Sequence, residues 1–491
     1  MTANSWYKLG LAVAAVTVFA GVAAQAVTIT PLSTVTPGNA TTVSGIVVNA
    51  ISPDATVVVG QATFDGAAVK TPALINVATN TIYNLGDPNW STTTASNAVG
   101  VGIKSNGEVW VLVNATNLLG YSQAYLWAGD ASGSGAYTDD VILPTDSNGN
   151  PTGNNSTGTS LAVQTTDEVM VCGTWAVTPP STTVKGFRYR TMPSFLDIDK
   201  PPSSNYNNNA NGISAFGDIG GYSANCQVGG GNHRNAWTWT SSNYTWICTL
   251  VGTINNNTES TAAGVPCMSL DGLHVVGRSM IAIGSSSWHA YMSIPSLNAN
   301  GWANSIDLGV LEGRPNPHTY SEATAVNGYG TVAAGYSQAL IAPTDKRYVI
   351  WDATNGMRDL LAVAGDPPEW TAIANVKALS QDGATLIGHG TYNGTASTPF
   401  IMKQIYDPPL PAPAPDIDTV PNDDAWVAGR PYVKDVTLLA GRLPLPSWSA
   451  SGAPGLTAVS YGKGGRVSGW TPGAGDIGSV FNLSATATSS S

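Results

Sequence analysis

Short apolar stretches of four to seven residues, separated by Gly, Asn, Asp, Ser and Thr, run through the chain from about residue 45 to residue 405. That length and spacing predict strands and turns rather than helices. One unit reads Cys267-Met268-Ser269-Leu270, a turn at Asp271-Gly272, Leu273-His274-Val275-Val276-Gly277, His289-Ala290-Tyr291-Met292, then Ile306-Asp307-Leu308-Gly309. The same order returns as Ala325-Val326-Asn327, Thr331 to Gly335, Arg347 to Trp351 and Gly356 to Leu360. It returns again as Ala378-Leu379-Ser380, Asp382-Gly383, Ala384 to Gly388 and Pro399 to Met402. Four looser copies precede these, around Val57 to Gly60, Val109 to Leu112, Val169 to Gly173 and Ile219 to Ser223.

Taking Gly60, Leu112, Gly173, Gly220, Gly277, Gly335 and Gly388 as equivalent, the spacing is 47 to 61 residues. Seven copies of a four-segment unit predict an all-β fold, a β-propeller of seven four-stranded blades over residues 27–406. The last copy lacks a fourth segment. The apolar stretch Thr42 to Val48 is the expected closing strand, because a ring left open exposes a sheet edge. Beyond it, Pro408 to Pro415 predicts an extended spacer over 407–415, and 416–491 is either a small module or a disordered tail.

The order Ala-x-x-Asn, Asp-Gly, Val-Val-Gly, His-Ala-Phe-like and Asp-Leu-Gly resembles the extracellular HAF repeats. The tripeptide stands here as His289-Ala290-Tyr291, Gln123-Ala124-Tyr125 and Asn235-Ala236-Trp237. The resemblance implies a secreted bacterial propeller and carries over no catalytic residue.

Composition agrees with export. Only 10% of the 491 residues are charged, the net charge is −11, and no Lys/Arg run offers a nucleic-acid footprint. Lys8, the apolar run Leu9 to Ala24 and Ala24-Gln25-Ala26 predict a signal peptide over residues 1–26 and a secreted or cell-surface protein. No later stretch is long and apolar enough to span a bilayer. Cys172, Cys226, Cys248 and Cys267 allow two disulfides, with Cys226–Cys248 one pairing and buried free thiols the alternative.

Sharper chemistry is weak. The recurring Asp-Gly and Asn-Gly pairs sit at one register and are expected to be hairpin turns, not ligands. Asp146-Ser147-Asn148-Gly149-Asn150 alternates calcium-type donors, but Pro151 and Thr157 stand where a calcium loop needs Gly and an acid. Asp416, Asp418, Asp423 and Asp424 also lack such spacing, so no cofactor or metal is expected. His233, His274, His289, His318 and His389 form no ligand pair, and no Gly-x-Ser-x-Gly occurs. Trp127, Trp237, Trp239 and Trp351 are expected between blades; Trp175, Trp288, Trp302 and Trp370 are candidates for stacking on sugar rings.

The expected function is non-catalytic binding or display of an extracellular protein or glycan. The alternative is a polysaccharide-acting hydrolase or lyase. Three or more charged side chains converging at one channel mouth would favour the alternative. Recognition is expected on the loops joining second and third strands (62–70, 175–185, 225–234, 279–288 and 338–346), with Trp288, Tyr222 and His233 as contacts. The Asp-Gly turns would occupy the opposite face.

Overall fold

A computed structural model describes residues 26–88, 95–117, 120–142, 155–176, 184–191, 194–198, 207–226, 233–240, 243–252, 258–339, 345–406, 410–417, 432–443, 445–471 and 484–488. The fold is a β-propeller, with almost no helix among the described residues. Most of the signal sequence, the 146–150 segment, Asp418, Asp423, Asp424, and parts of the loops 175–185, 225–234 and 338–346 lie outside the described residues.

Antiparallel pairing groups the strands into consecutive units. Val43–Ile51, Val57–Phe64, Thr71–Asn76 and Thr81–Asn84 make the first, with Thr36–Pro37 added in parallel at its edge. Asn97–Ile103 to Gly135–Ile142, Ser156–Val163 to Ser194–Ile198, and Asn208–Ile213 to Asn243–Trp246 make the next three. The fifth holds Ser260–Thr261, Val276–Met280, Trp288–Leu297 and Ala303–Gly309. The sixth holds Tyr320–Val326, Val332–Gln338, Lys346–Asp352 and Gly356–Asp359. The last holds Trp370–Leu379, Leu386–Tyr392 and Thr395–Lys403. We number these units 1 to 7.

The strand that completes unit 7 is not the expected one. Thr28–Pro31 pairs antiparallel with Thr395–Lys403, matching Thr28 to Lys403 and Pro31 to Phe400. Thr42 to Val48 instead belongs to the first strand of unit 1, where Val43 lies opposite Phe64 and Val48 opposite Gly60. The error has a physical source. Two bulges, at Ser44/Val47 and Val48/Ala50, break the alternation that would have joined this stretch to Asn49-Ala50-Ile51.

Apolar clusters fill the spaces between successive units. Val111, Val113 and Tyr125 of unit 2 pack with Val57 and Leu74 of unit 1, and Val276 and Met292 of unit 5 with Ala323 and Ala333 of unit 6. Ile387 and Ile401 of unit 7 pack with Val48, Val58 and Ile75 of unit 1. Burial of both sheet faces explains why the strands read as continuous apolar runs.

The recurring glycine has a specific cause. The first strand carries a bulge in six units, for example at Ala323/Ala325 and Val376/Ala378. At this register a first-strand carbonyl lies against the second strand. A Cβ would lie 1.9 Å from the carbonyl oxygen of Val47 at Gly60, of Asn209 at Gly221 and of Glu322 at Gly335. At these three glycines a side chain would force the backbone to move, although unit 2 carries a valine at the matching register. Gly221, not Gly220, is therefore the equivalent in unit 4. In unit 2 it is Val113, opposite Ala98, rather than Leu112.

The Asp-Gly pairs are turns, as their register implied. Ser269 Oγ donates to Asp271 Oδ1 at 2.6 Å, His274 N donates to Ser269 Oγ, and Leu273 N to Asp271 Oδ1. Ser380, Asp382, Thr385 and Ala384 repeat those bonds. Only the glycine takes the left-handed region, φ 74° at Gly272 and 75° at Gly383; the aspartate acts as an acceptor. Neighbouring turns also bond to one another: Ala215 N to Leu270 O, Asp271 N to Gly328 O, Asn327 Nδ2 to Gln381 O, and Gln381 N to Pro53 O.

Past residue 410, Lys434–Ala440, Thr457–Tyr461 and Gly464–Ser468 form a sheet with Asp416–Ile417, and Ser447–Ser451 pairs with Ser484–Thr488. Tyr432, Val436, Leu456, Val467 and Trp470 make its own small core. Among the described residues no helix is long and apolar enough to cross a membrane.

Candidate functional site

Three of the sugar-stacking candidates lead elsewhere. Trp175 and Trp370 are buried, and Trp370 packs its ring on Tyr392 and Phe400. Trp302 is half-buried, and its backbone N–H bonds to Asn298 in the turn before the last strand of unit 5. Trp288 is different. It opens the third strand of unit 5, opposite Met280, at the end from which the second-to-third-strand loop emerges.

Around Trp288 the ends of units 5 and 6 bring together four aromatic rings and three charges. The Arg278 guanidinium lies 4.9 Å from the Trp288 ring and 5.6 Å from the Tyr320 ring. Arg278 bonds the Tyr320 hydroxyl and reaches Glu322 Oε2 at 3.4 Å. Tyr320 stacks on Tyr336 with centroids 5.8 Å apart, and Tyr336 meets Tyr348 at 6.0 Å. The Lys346 ammonium sits over Tyr336 at 3.5 Å and over Tyr348 at 5.1 Å, close enough for cation–π attraction.

Strand geometry explains the grouping. Glu322 lies opposite Tyr336 and Tyr336 opposite Tyr348, while Gln338 lies opposite both Tyr320 and Lys346. These side chains therefore share one face of unit 6 near one end. All are half-buried except the more buried Tyr320, so rings and charged heads are held in place yet remain partly open to solvent.

Burial and the neighbouring charges set the protonation of the group. Burial, then the Glu322 carboxylate, push the Tyr336 phenol well above its usual range. It stays protonated and donates to Glu322 Oε2 at 2.9 Å. Burial raises the Tyr348 phenol as well and lowers the Lys346 ammonium. A phenol held protonated in this way is a firm hydrogen-bond donor. Glu322 is the one carboxylate in the group, whereas glycoside hydrolysis ordinarily needs two flanking the bond.

A second constellation invites a catalytic reading and fails it. His318 Nδ1 lies 2.9 Å from Ser337 Oγ, and His318 Nε2 lies 3.8 Å from Asp345 Oδ2. Ser337 has no exposed surface. Its hydroxyl already donates to Tyr320 O and accepts from Leu311 N. No substrate atom can reach it, so the group braces the 311–318 loop. Beside it, a cleft of about 490 Å³ is lined by Leu311, Glu312, Arg314, Arg358, Asp359 and Val363. Its guanidiniums are committed, Arg314 to Asp345 and Arg358 to Asp352.

The other expected contacts lie in unit 4. Tyr222 follows Gly221 on the second strand and is half-buried. It holds the same register position as Arg278 after Gly277 and Tyr336 after Gly335. His233 is not in a loop: it begins the third strand, opposite Cys226, and is buried. Sequence reasoning named Trp288 but missed Arg278, Tyr320, Glu322, Tyr336, Lys346 and Tyr348. For Arg278 and Tyr336 a signal was available, since the residue after the recurring glycine is large and different in units 4, 5 and 6.

Cys248 is a free, buried thiol, which overturns the Cys226–Cys248 pairing. Cys172 and Cys267 are free and buried as well, and burial pushes the Cys172 thiol up to about 12. Such thiols are core residues. Among the described residues no three metal-ligating side chains come together.

No protein-family model and no curated protein sequence matches the chain. Solved structures match its fold. The β-propeller domain of the Trilobed protease from Pyrococcus furiosus, described as having an open velcro topology, is 9% identical with a TM-score of 0.41, covering 73% of this chain and 97% of that one. Oligogalacturonate lyase from Vibrio parahaemolyticus is 11% identical with a TM-score of 0.41, covering 77% and 93%. A Trypanosoma rangeli sialidase is 11% identical with a TM-score of 0.35, covering 66% and 58%.

Proposed function

We propose that this chain is a secreted, seven-bladed propeller that binds an extracellular glycan without cleaving it, at the Trp288–Tyr320–Tyr336 group. The carrying observation is the half-buried set of aromatic rings braced by Arg278, Glu322 and Lys346. Flat rings bury sugar faces, and the flanking charged groups supply hydrogen bonds to hydroxyls. The chain's few charges, its signal-like N-terminus and its resemblance to HAF repeats support an extracellular setting.

A second reading rests on one specific observation. Arg278, Glu322 and Lys346 converge, as the polysaccharide-acting hydrolase or lyase would require. Against it stands the single carboxylate of the group. Screening the purified protein on a glycan array, with parallel assays for release of reducing ends or unsaturated sugars, separates the two. Binding lost in Trp288→Ala and absent cleavage support recognition; cleavage abolished by Glu322→Gln supports catalysis and overturns it.

A further inference from the structure

The turn end of the ring holds a contact that nothing in the repeat requires. Asp218 sits in the first turn of unit 4, only 1% exposed. Its Oδ1 pairs with the Lys463 ammonium, 245 residues away. Its Oδ2 finds no hydrogen-bond donor among the described residues. Lys463 lies in the turn between Thr457–Tyr461 and Gly464–Ser468 of the C-terminal sheet.

A second basic residue of that sheet reaches the adjacent turn. Arg442 is 7% exposed, donates from Nε to Leu438 O at 2.8 Å, and from Nη1 to the Asp271 carbonyl at 3.3 Å. Asp218 also feels the Arg442 and Arg188 charges. Burial nevertheless holds its carboxyl above the ordinary range. A buried acid paired with one base of a separate sheet, beside a turn carbonyl bonded by a second, is a seat for that sheet, because breaking a buried pair by removing one partner leaves an uncompensated charge.

The route of the chain says what the seat is for. Ile405, Tyr406 and Leu410 still pack on units 6 and 7. Asp416 already pairs with Ala440, two residues before Arg442. Units 5 and 4 stand two and three places round from unit 7. The segment therefore leaves one side of the turn face and lands on another.

We propose that the C-terminal sheet is a built-in stopper, lying across the turn-face opening of the ring and seated through Asp218–Lys463 and Arg442–Asp271, so that ligands reach the ring from the loop face alone. The stopper is independent of what the loop face binds.

The test uses the full chain with a specific protease site placed within 408–415. After cleavage, the C-terminal fragment is expected to co-elute with the propeller in size exclusion at low salt. Lys463→Gln, alone and with Arg442→Gln, is expected to release it, and amides of Gly217 and Gly272 should then exchange at least tenfold faster. Asp218→Lys paired with Lys463→Asp should restore retention. Lys463 lies outside the propeller, so its replacement leaves the ring's own packing untouched even if an Asp218 variant misfolds. Release of the fragment from the unmutated chain, or equal retention and exchange in Lys463→Gln, would overturn the proposal.

Discussion

The two ends of each blade solve different problems with the same strands. At the turn end, Ser52–Asp54, Ser269–Asp271 and Ser380–Asp382 repeat one hydrogen-bond pattern, Oγ to Oδ1 at 2.6 Å each time. At the loop end, the residue after the recurring glycine changes from Gln61 to Thr174, Tyr222, Arg278, Tyr336 and His389. Chemistry that recurs from unit to unit is what the scaffold needs to fold. Chemistry that appears once, at a position the scaffold leaves free, is where a function can be carried.

That contrast can be broken in several ways, beginning with the scaffold. Gly335→Ala places a Cβ 1.9 Å from the Glu322 carbonyl, so the two strands must part. We expect a loss of about 3 kcal/mol or more, read as a lower midpoint in urea with an unchanged m-value. A loss below 1 kcal/mol would show that the bulge, not the glycine, sets the spacing.

His389 tests the contrast from the other side, because it occupies the loop-end register yet acts as scaffold. Its Nε2 accepts the Val48 N–H at 3.2 Å and its Nδ1 meets Asn375 Oδ1 at 2.9 Å, tying unit 7 to unit 1. Burial, with Lys377 and Lys70, lowers its pKa to about 4 from 6.5. The folded chain keeps the imidazole neutral while the unfolded chain protonates it. The contribution is therefore complete above pH 6.5 and is lost as pH falls towards 4. It amounts to on the order of 3 kcal/mol. Unfolding free energies measured between pH 4 and 7 should show this slope, and His389→Phe should flatten it.

Smaller effects follow at the turns and at the site. Asp382→Ala removes the acceptor for Ser380 Oγ and Ala384 N and should cost about 1–2 kcal/mol, with glycan binding unchanged. Tyr336→Phe removes the bonds to Glu322 and to the Tyr320 hydroxyl and should alter stability by less than about 1 kcal/mol while weakening binding severalfold. The opposite pattern, binding lost at Asp382 and kept at Tyr336, would move the site to the turn face.

What the sequence made legible follows the same division. The repeat was readable because apolar runs, glycines and Asp-Gly turns recur in phase. The closing strand was not, because Thr28–Pro31 is four residues of Thr, Ile and Pro with no signature of its own. The HAF-like tripeptide was visible, but its partner was not. The Ala124, Ala236 and Ala290 amides each donate to a serine, Ser156, Ser260 and Ser321, on the first strand of the next unit, at 2.8–3.1 Å. Those serines lie 24 to 32 residues downstream in a Ser-rich chain and cannot be told apart by composition. Half the site was hidden for a related reason. Glu322, Tyr336 and Tyr348 meet only through strand register, which bulges shift.

The most direct test is a calorimetric titration of the best glycan from the array into the unmutated chain, Trp288→Ala and Asp382→Ala, at a temperature where all three are folded. If the glycan binds at the Trp288 group, Trp288→Ala weakens the Kd at least tenfold while Asp382→Ala binds as the unmutated chain does. Equal affinity in all three, or loss in Asp382→Ala alone, would contradict that placement.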